Sequence, residues 1–312
     1  SYSNNTSVGH KSLYSVTTGS NNSALGYLSL YSIQDGIRNT AIGDSAMYSM
    51  TSGGRNTALG RLALYYNTTG SYNIAIGESA YLGTNGNSTG SNNVAMGYQA
   101  MYYGTDGQSN VIIGHQAGVA ITGGSYNVAL GRNALNATTT GNSNVAIGYN
   151  AGDAITTDQN VVVIGQGAYS AQDTSNDAEG SSGHGSGNIA IGYQVMQSFN
   201  QVNCLRNTAI GFQAMSVGST HDPQDSVAIG YRALQGLNDG DRNVAIGAYA
   251  GKAITTGSEN MMMGKSALLA LTTGNQNVAI GQSTLSSADG AESNNIAIGY
   301  QTMNLVNNDS AT

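Results

Sequence analysis

A five-residue motif with one polar position and three mostly apolar ones recurs along the whole chain: asparagine, a β-branched residue, alanine, an aliphatic residue and glycine. The motif is Asn-Thr-Ala-Ile-Gly at residues 39–43 and Asn-Val-Ala-Ile-Gly at residues 243–247. It occurs 17 times, each time ending at a glycine, and 11 of the 16 gaps between these glycines are 17 residues long. A fixed period of this size indicates a repeat protein. We therefore expect an all-β fold, a parallel β-solenoid or β-roll of about 17 coils, forming one domain over residues 1–312.

The three residues before each glycine form a predicted strand. Positions in a coil are counted from its glycine, so that Ala58 stands at position −2 of the Gly60 coil. Side chains alternate between the two faces of a strand, so Thr57 and Leu59 share one face and Ala58 takes the other. We expect positions −3 and −1 to fill the coil interior, and the alanine to face outward, where a second copy of the chain packs closely.

A second apolar pair follows each glycine, with a small residue at position +3 and a large one at position +4, as in Ala63 and Leu64. This pair predicts a second short strand. Thr-Thr-Gly, for example at residues 68–70, then predicts a turn in which the glycine supplies a positive φ.

Position −4 is asparagine in 15 of the 17 coils, the exceptions being Val161 and Ser226. Stacked amides bond to each other along the axis of a parallel solenoid and to the turn backbone. We therefore predict a structural asparagine ladder. Its members include Asn22, Asn39, Asn56, Asn73, Asn110, Asn127, Asn144, Asn243 and Asn277.

Tyrosines recur at position +5 of four successive coils and predict an aromatic stripe, formed by Tyr14, Tyr31, Tyr48 and Tyr65. Aromatic faces stack on sugars, which makes the stripe a candidate surface-binding site. The alternative is a ladder of rings that stack on each other and protect an edge. A second series at position +1 mixes aromatic and charged residues, such as Tyr98, Phe212 and Arg61. For this series we expect contacts between chains rather than a ligand groove.

Insertions interrupt the period near residues 84–89, 169–187, 197–206 and 217–226. Insertions in a solenoid project from its core as loops, often on the side of the protein that binds a partner. Asp173, Asp177 and His184 in the longest insertion, and His221 in the last, are therefore further candidate surface-binding residues. Together with Glu179, the two aspartates are also an alternative calcium site. Their spacing does not match an EF-hand loop, so a solvated acidic loop is the preferred interpretation.

Composition narrows the function classes. The chain has 17 Asp and Glu against 10 Lys and Arg, a net charge of −7, so we expect no nucleic-acid partner. Its apolar runs are shorter than the roughly 18 residues of a membrane span, so we expect no direct membrane insertion. The histidines are scattered, no catalytic motif is visible, and the single Cys204 leaves no internal disulfide. We expect no enzyme, no cofactor and no metal site.

The motif at residues 243–247 resembles the head repeats of trimeric autotransporter adhesins (YadA-like heads). In both, the motif is followed by a small residue and a glycine turn, after which the next copy of the motif begins. It is also similar to Asn-Thr-Ala-Ile-Gly repeats of viral tail fibres. The resemblance covers residues 4–300 and recurs in 17 coils, although the period is longer than in those heads. It implies a left-handed parallel β-roll, a homotrimer about the long axis, and a non-enzymatic role in attachment to a host or surface.

The resulting expectation is an extracellular fibre segment, on a cell surface or a virion, with a host-surface glycan or protein as its receptor. The pattern starts and stops without an atypical polar repeat, which indicates a piece of a longer chain. A purely structural shaft or filament subunit is the alternative. An ice-binding solenoid would need a regular threonine ladder, but position −3 is threonine only in patches, at Thr6, Thr40, Thr57 and Thr208.

Overall fold

The structure is a computed structural model that describes residues 4–84, 88–170, 187–197, 204–216, 223–288 and 290–304. The chain forms two compact units, Ser1–Thr157 and Asp158–Thr312, and each is described by itself. Both are all-β parallel solenoids, and no helix occurs in the described ranges. The predicted all-β solenoid is confirmed. The prediction of a single domain over residues 1–312 stays a prediction.

Each coil contributes one strand of three residues, at positions −3 to −1. The first unit contains β1 (Thr6–Val8), β2 (Ser23–Leu25), β3 (Thr40–Ile42), β4 (Thr57–Leu59), β5 (Ile74–Ile76), β6 (Val94–Met96), β7 (Val111–Ile113), β8 (Val128–Leu130) and β9 (Val145–Ile147). The second unit contains β10 (Val162–Ile164), β11 (Ile189–Ile191), β12 (Thr208–Ile210), β13 (Val227–Ile229), β14 (Val244–Ile246), β15 (Met261–Met263), β16 (Val278–Ile280) and β17 (Ile296–Ile298).

Successive strands within each unit pair in parallel and in register. Ala41 lies opposite Ala58, and Ala58 lies opposite Ala75. Equivalent positions of the repeat therefore stack directly on each other, and one period of sequence makes one coil.

The buried asparagines at position −4 link neighbouring coils. Asn56 donates its backbone N–H and its Nδ2 to Oδ1 of Asn39, both at 3.0 Å. Its Nδ2 also donates to the carbonyl of Gly70 at 2.9 Å, and its Oδ1 accepts the N–H of Asn73 at 2.8 Å. The Asn56 amide thus satisfies two buried backbone groups of the next turn and donates to the side-chain amide of the preceding coil, which an apolar side chain of similar size could not do.

Serine keeps part of this ladder intact in the second unit. Ser226 donates its N–H to Oδ1 of Asn207 at 3.1 Å, and its Oγ accepts the N–H of Asn243 at 3.1 Å. The hydroxyl therefore replaces the amide as an acceptor for the next coil.

The strands face the opposite way from the sequence prediction. Ala41, Ala58 and Ala75 are fully buried in the coil interior, whereas Leu59 at position −1 is 45% exposed. Thr57 at position −3 is also exposed. The prediction that the alanines face outward and that positions −3 and −1 fill the core is wrong.

The physical reason is that the chain following each glycine already fills the interior. Ala63 and Leu64, at positions +3 and +4, have no exposed surface, and neither does Met50 at position +7. Little more than a methyl group fits between such residues and the strand. Where Ile112 replaces the strand alanine, position +4 is Gly118, and an added Cβ there would lie 3.1 Å from Cγ2 of Ile112. A larger residue on one side is thus matched by a smaller one on the other.

The predicted second strand does not form in the described coils, where the segment after the glycine is a series of turns. Leu62 and Leu64 have φ values of 59° and 54°, in the left-handed region, which costs roughly 1–2 kcal/mol per non-glycine residue. Hydrogen bonds to both neighbouring coils offset this cost. The N–H of Leu62 donates to the carbonyl of Asp44 at 2.9 Å, and the N–H of Leu64 donates to the carbonyl of Ala80 at 3.1 Å.

The glycine of Thr-Thr-Gly has a different role from the predicted one. The positive φ of this corner occurs at position −5, as at Tyr72 with a φ of 61°. Gly70 is needed because a Cβ there would lie 2.2 Å from the carbonyl oxygen of Gly90 in the next coil. Close stacking of the coils, rather than a positive φ, therefore selects this glycine.

We predict that Asn56→Ala lowers the free energy of unfolding of the first unit by about 2–4 kcal/mol, because two buried backbone groups lose their partner. Those groups are the N–H of Asn73 and the carbonyl of Gly70. Asn56→Ser retains an acceptor, as Ser226 does, and should cost less, about 1–2 kcal/mol. Urea unfolding followed by circular dichroism measures both changes. The exposed Ser52→Ala is the control, and an equal loss in this variant would contradict the importance of the buried ladder.

Candidate functional site

The four tyrosines of the predicted stripe stack on each other in the first unit. Ring centroids lie 5.2 Å apart for Tyr14 and Tyr31, 5.1 Å for Tyr31 and Tyr48, and 5.0 Å for Tyr48 and Tyr65. The interplanar angles are 2°, 3° and 7°. Each ring therefore covers the face of the next, and a sugar approaching from the side meets ring edges and hydroxyl groups.

Further side chains contact both ends of the stripe. Nζ of Lys11 lies 5.6 Å from the ring centroid of Tyr14, and Tyr66 packs edge-on against Tyr65 with centroids 4.6 Å apart. The alternative of a self-stacking ladder accounts for this geometry. Glycan binding by Tyr14, Tyr31, Tyr48 and Tyr65 stays a prediction.

The aromatic series at position +1 forms shorter stacks. In the second unit, Tyr193, Phe212 and Tyr231 stack with centroid separations of 5.2 Å and are 38–40% exposed. In the first unit, the rings of Tyr98 and His115 stack with centroids 5.2 Å apart. Only the coil glycine separates each of these residues from the outward aliphatic residue at position −1. The series therefore extends the apolar surface of the strands, while its predicted contacts between chains stay a prediction.

Position −5 forms a row along one corner of the coils, which we call the corner ridge. In the second unit its charges alternate. Nε of Arg206 lies 2.6 Å from Oδ1 of Asp225, and Nη2 of Arg242 lies 2.8 Å from Oε1 of Glu259. The hydrogen bond from Arg206 lowers the pKa of Asp225, and hydrogen bonds from Gln276 and Arg242 lower the pKa of Glu259. Each charge on this part of the ridge is thus balanced by a neighbour one coil away.

The corner ridge of the first unit differs in its charge. It carries Arg38 and Arg55 on successive coils and no acidic residue. Its members are Asn4, Asn21, Arg38, Arg55, Tyr72, Asn92, Ser109, Tyr126 and Ser143. The two ridges therefore share a backbone geometry but present different surfaces.

Four candidate residues lie outside the described ranges: Asp173, Asp177, His184 and His221. The same holds for Glu179, the third residue of the alternative calcium site. Their proposed surface role stays a prediction.

Two tyrosines outside the predicted stripe are buried in the core. Tyr81 and Tyr169 stand at position +4, where most coils have leucine or methionine. Their hydroxyls accept hydrogen bonds from Nδ2 of Asn93 and of Asn188, both at 3.3 Å. Burial raises the pKa of both phenols. The sequence signal for these residues is an aromatic side chain at a position that is leucine or methionine in most other coils.

The core accommodates Tyr81 because the next coil has a glycine, Gly104, where the ring packs. An added Cβ at Gly104 would lie 2.5 Å from Cε2 of Tyr81. Both buried tyrosines stand close to an insertion, Tyr81 before residues 84–89 and Tyr169 at the start of residues 169–187. They contribute to packing where the period is interrupted, and their hydroxyls face the asparagine ladder rather than solvent.

Asp153 is a second feature that the sequence pattern did not single out. It stands at position +5 of the Gly148 coil and is half-buried. Its Oδ1 atom is buried and has no hydrogen-bond partner among the described residues. Burial raises the pKa of this carboxyl to about 6. At neutral pH, the first unit therefore holds a poorly solvated carboxylate.

Over the described parts of the chain, no three His, Cys, Asp or Glu side chains converge in a way that could hold a metal ion. The same parts contain no helix that is long and apolar enough to cross a membrane. No protein-family model matches the chain, and no curated protein matches its sequence. The geometry of the repeat and its exposed surface therefore carry the functional proposal.

We predict that Asp153→Asn stabilises the first unit at neutral pH. The pKa of about 6 in the folded state exceeds the ordinary value of 3.8, so the ionised form disfavours folding as pH rises between these values. Because the side chain is half exposed, the gain at about pH 7.5 should be only about 1 kcal/mol, and it should vanish near pH 3.5.

Urea midpoints at the two pH values measure this difference. The exposed Asp35→Asn, which removes one negative charge from the same unit, is the control. A gain of equal size at both pH values would contradict the assignment.

Proposed function

We propose that the chain is a non-enzymatic extracellular fibre segment that attaches to a host cell or surface and assembles as a homotrimer. It would serve as an adhesin head or as the receptor-binding part of a viral tail fibre, on a cell surface or a virion. The observation that carries the proposal is the row of aliphatic side chains that the strands turn outward.

This row occurs in both units. In the first, the residues Val8, Leu25, Ile42, Leu59 and Leu130 at position −1 are 39–56% exposed. In the second, the residues Ile246, Met263 and Ile298 at the same position are 36–64% exposed. Contiguous apolar surface of this kind marks protein–protein contacts in soluble proteins. Self-association through it is therefore the first part of the proposal.

A second copy of the chain is the partner that fits this surface. The aliphatic residues repeat at one strand spacing, and another copy presents the same spacing and the same apolar character. Cyclic symmetry buries such a face without leaving an open edge. The homotrimer and the left-handed sense of the coil are what the resemblance to YadA-like heads implies, and the exposed aliphatic row supports the trimer. A host-surface glycan or protein is the proposed receptor.

A purely structural shaft or filament subunit is the second candidate. It is favoured by the way many side chains bond along the stack, such as the stacked rings of Tyr31 and Tyr48. An ice-binding surface receives less support. Besides the patchy threonines at position −3, the hydroxyl of the turn residue Thr51 donates to the carbonyl of Thr68 at 3.1 Å and so is engaged within the fold.

We predict a mass in light scattering of three times the 31.8 kDa of one chain at micromolar concentration. The double variant Ile42→Asp, Leu59→Asp should dissociate the assembly, because it buries unpaired charges at every interface. The control is Asn21→Asp, Asn92→Asp, which adds the same charge on the corner ridge. A monomeric wild type, or a double variant that keeps the trimer mass, would contradict the interface.

Attachment is tested separately with the assembled wild type on a glycan array and on host cells. Binding that is reduced by deletion of residues 170–187 would support a receptor role for the long insertion. If the assembled protein binds neither glycans nor cells, the attachment proposal fails and the structural shaft is preferred.

A further inference from the structure

The corner ridge of the first unit carries an unbalanced positive charge. Arg38 and Arg55 are exposed on successive coils, with φ values of 58° and 60°. Stacked strands are about 4.8 Å apart, so the two side chains leave the backbone close together. Among the described residues, neither arginine has a carboxylate within ion-pair distance. This includes Asp35 and Asp44, the acidic residues nearest to Arg38 in the sequence.

The fold itself does not require this like-charge pair. In the second unit, Asp225 stands between Arg206 and Arg242 on the corner ridge, and Glu259 follows. Carboxylates therefore fit the same backbone position and separate the guanidinium groups. Two adjacent guanidinium groups without a counter-charge repel each other, and a bound anion would remove that repulsion.

The surroundings of the pair suit a sugar that carries anionic groups. Cζ of Arg55 lies 5.0 Å from the ring centroid of Tyr72, and Nη1 of Arg55 donates to the Tyr72 hydroxyl. This contact orients the guanidinium. Tyr72 is 51% exposed and Ile37 is 40% exposed, which leaves apolar surface for the ring carbons of a sugar. The exposed amides of Asn21 and Asn92 supply donors and acceptors for hydroxyl groups.

We propose that this part of the ridge, from Asn21 to Asn92, binds the sulfate groups of a sulfated polysaccharide. Guanidinium groups bind such tetrahedral oxyanions through paired hydrogen bonds. The ridge is open, so a single small anion makes only weak and screened contacts. A polymer that carries several sulfates engages both arginines at once and gains affinity from multivalency. The inference names a receptor class for the proposed attachment function and in that sense rests on it.

The test is binding of the full chain to immobilised heparin at low ionic strength, measured by biosensor. The double variant Arg38→Gln, Arg55→Gln should bind about tenfold more weakly, because two exposed charge contacts are lost. The matched control is Arg206→Gln, Arg242→Gln, which removes the same net charge from a ridge whose arginines are already paired. The control should bind within about twofold of the wild type. Circular dichroism melting verifies that each variant is folded.

Competition identifies the ligand. Soluble heparin should displace the protein, whereas fully desulfated heparin, inorganic sulfate at the same sulfate concentration and poly-glutamate should not. The inference is overturned if both double variants weaken binding equally, if the wild type does not bind heparin, or if inorganic sulfate or poly-glutamate competes as well as heparin. Attachment to cells by a wild type that does not bind heparin would overturn the sulfate site while leaving the proposed function in place.

Discussion

Hydrogen bonds of the buried asparagine side chains fix how the coils stack. Each amide oxygen accepts the N–H of the next ladder residue, as Asn56 does for Asn73, while the amide nitrogen donates to a glycine carbonyl in the turn just before that residue. These backbone groups are buried and would otherwise be without partners, so the asparagine is required by hydrogen bonding rather than by packing volume. The glycine that accepts this bond must in turn lack a side chain, because the next coil lies against it.

This constraint determines what the three strand residues do. A strand of three residues, anchored by asparagine before it and glycine after it, places one side chain inside and two outside. The interior is already filled from the other side by residues such as Ala63 and Leu64, so position −2 is alanine and the aliphatic neighbours face outward. The same arrangement that leaves the coil a narrow core thus supplies each unit with an apolar surface. The proposed trimer follows from this surface, and the proposed polysaccharide site lies on a separate corner.

The repeat, the strand positions and the parallel stacking follow from the sequence because the glycines and asparagines recur at a fixed spacing. Which face of the strand is interior does not follow, since alternation defines two faces around Ala58 without saying which one meets the core. That choice depends on the volume supplied by positions +3, +4 and +7, which is a tertiary property. The left-handed turn residues were missed for a related reason. Leu64 has a φ of 54°, although a leucine has no local preference for this region, so only packing and hydrogen bonds to adjacent coils account for it.

For the candidate sites, the sequence indicated that the four tyrosines form a stripe on successive coils. It did not indicate that each ring covers the face of the next, because a spacing of one coil does not define the angle between rings. Asp153 was missed because position +5 varies from coil to coil outside the tyrosine stripe, and Tyr81 was missed because an aromatic residue at position +4 recurs in only one other coil, at Tyr169. Their burial becomes evident only once the coil geometry is known.

If the strand alanines face inward, the urea midpoint of Ala58→Leu should fall below that of the wild type. With Ala58 fully buried against a filled interior, the larger side chain should lower the free energy of unfolding by about 1–3 kcal/mol through overpacking. A midpoint equal to or above that of the wild type would mean that position −2 faces outward and that the interior is not filled by the residues after the glycine.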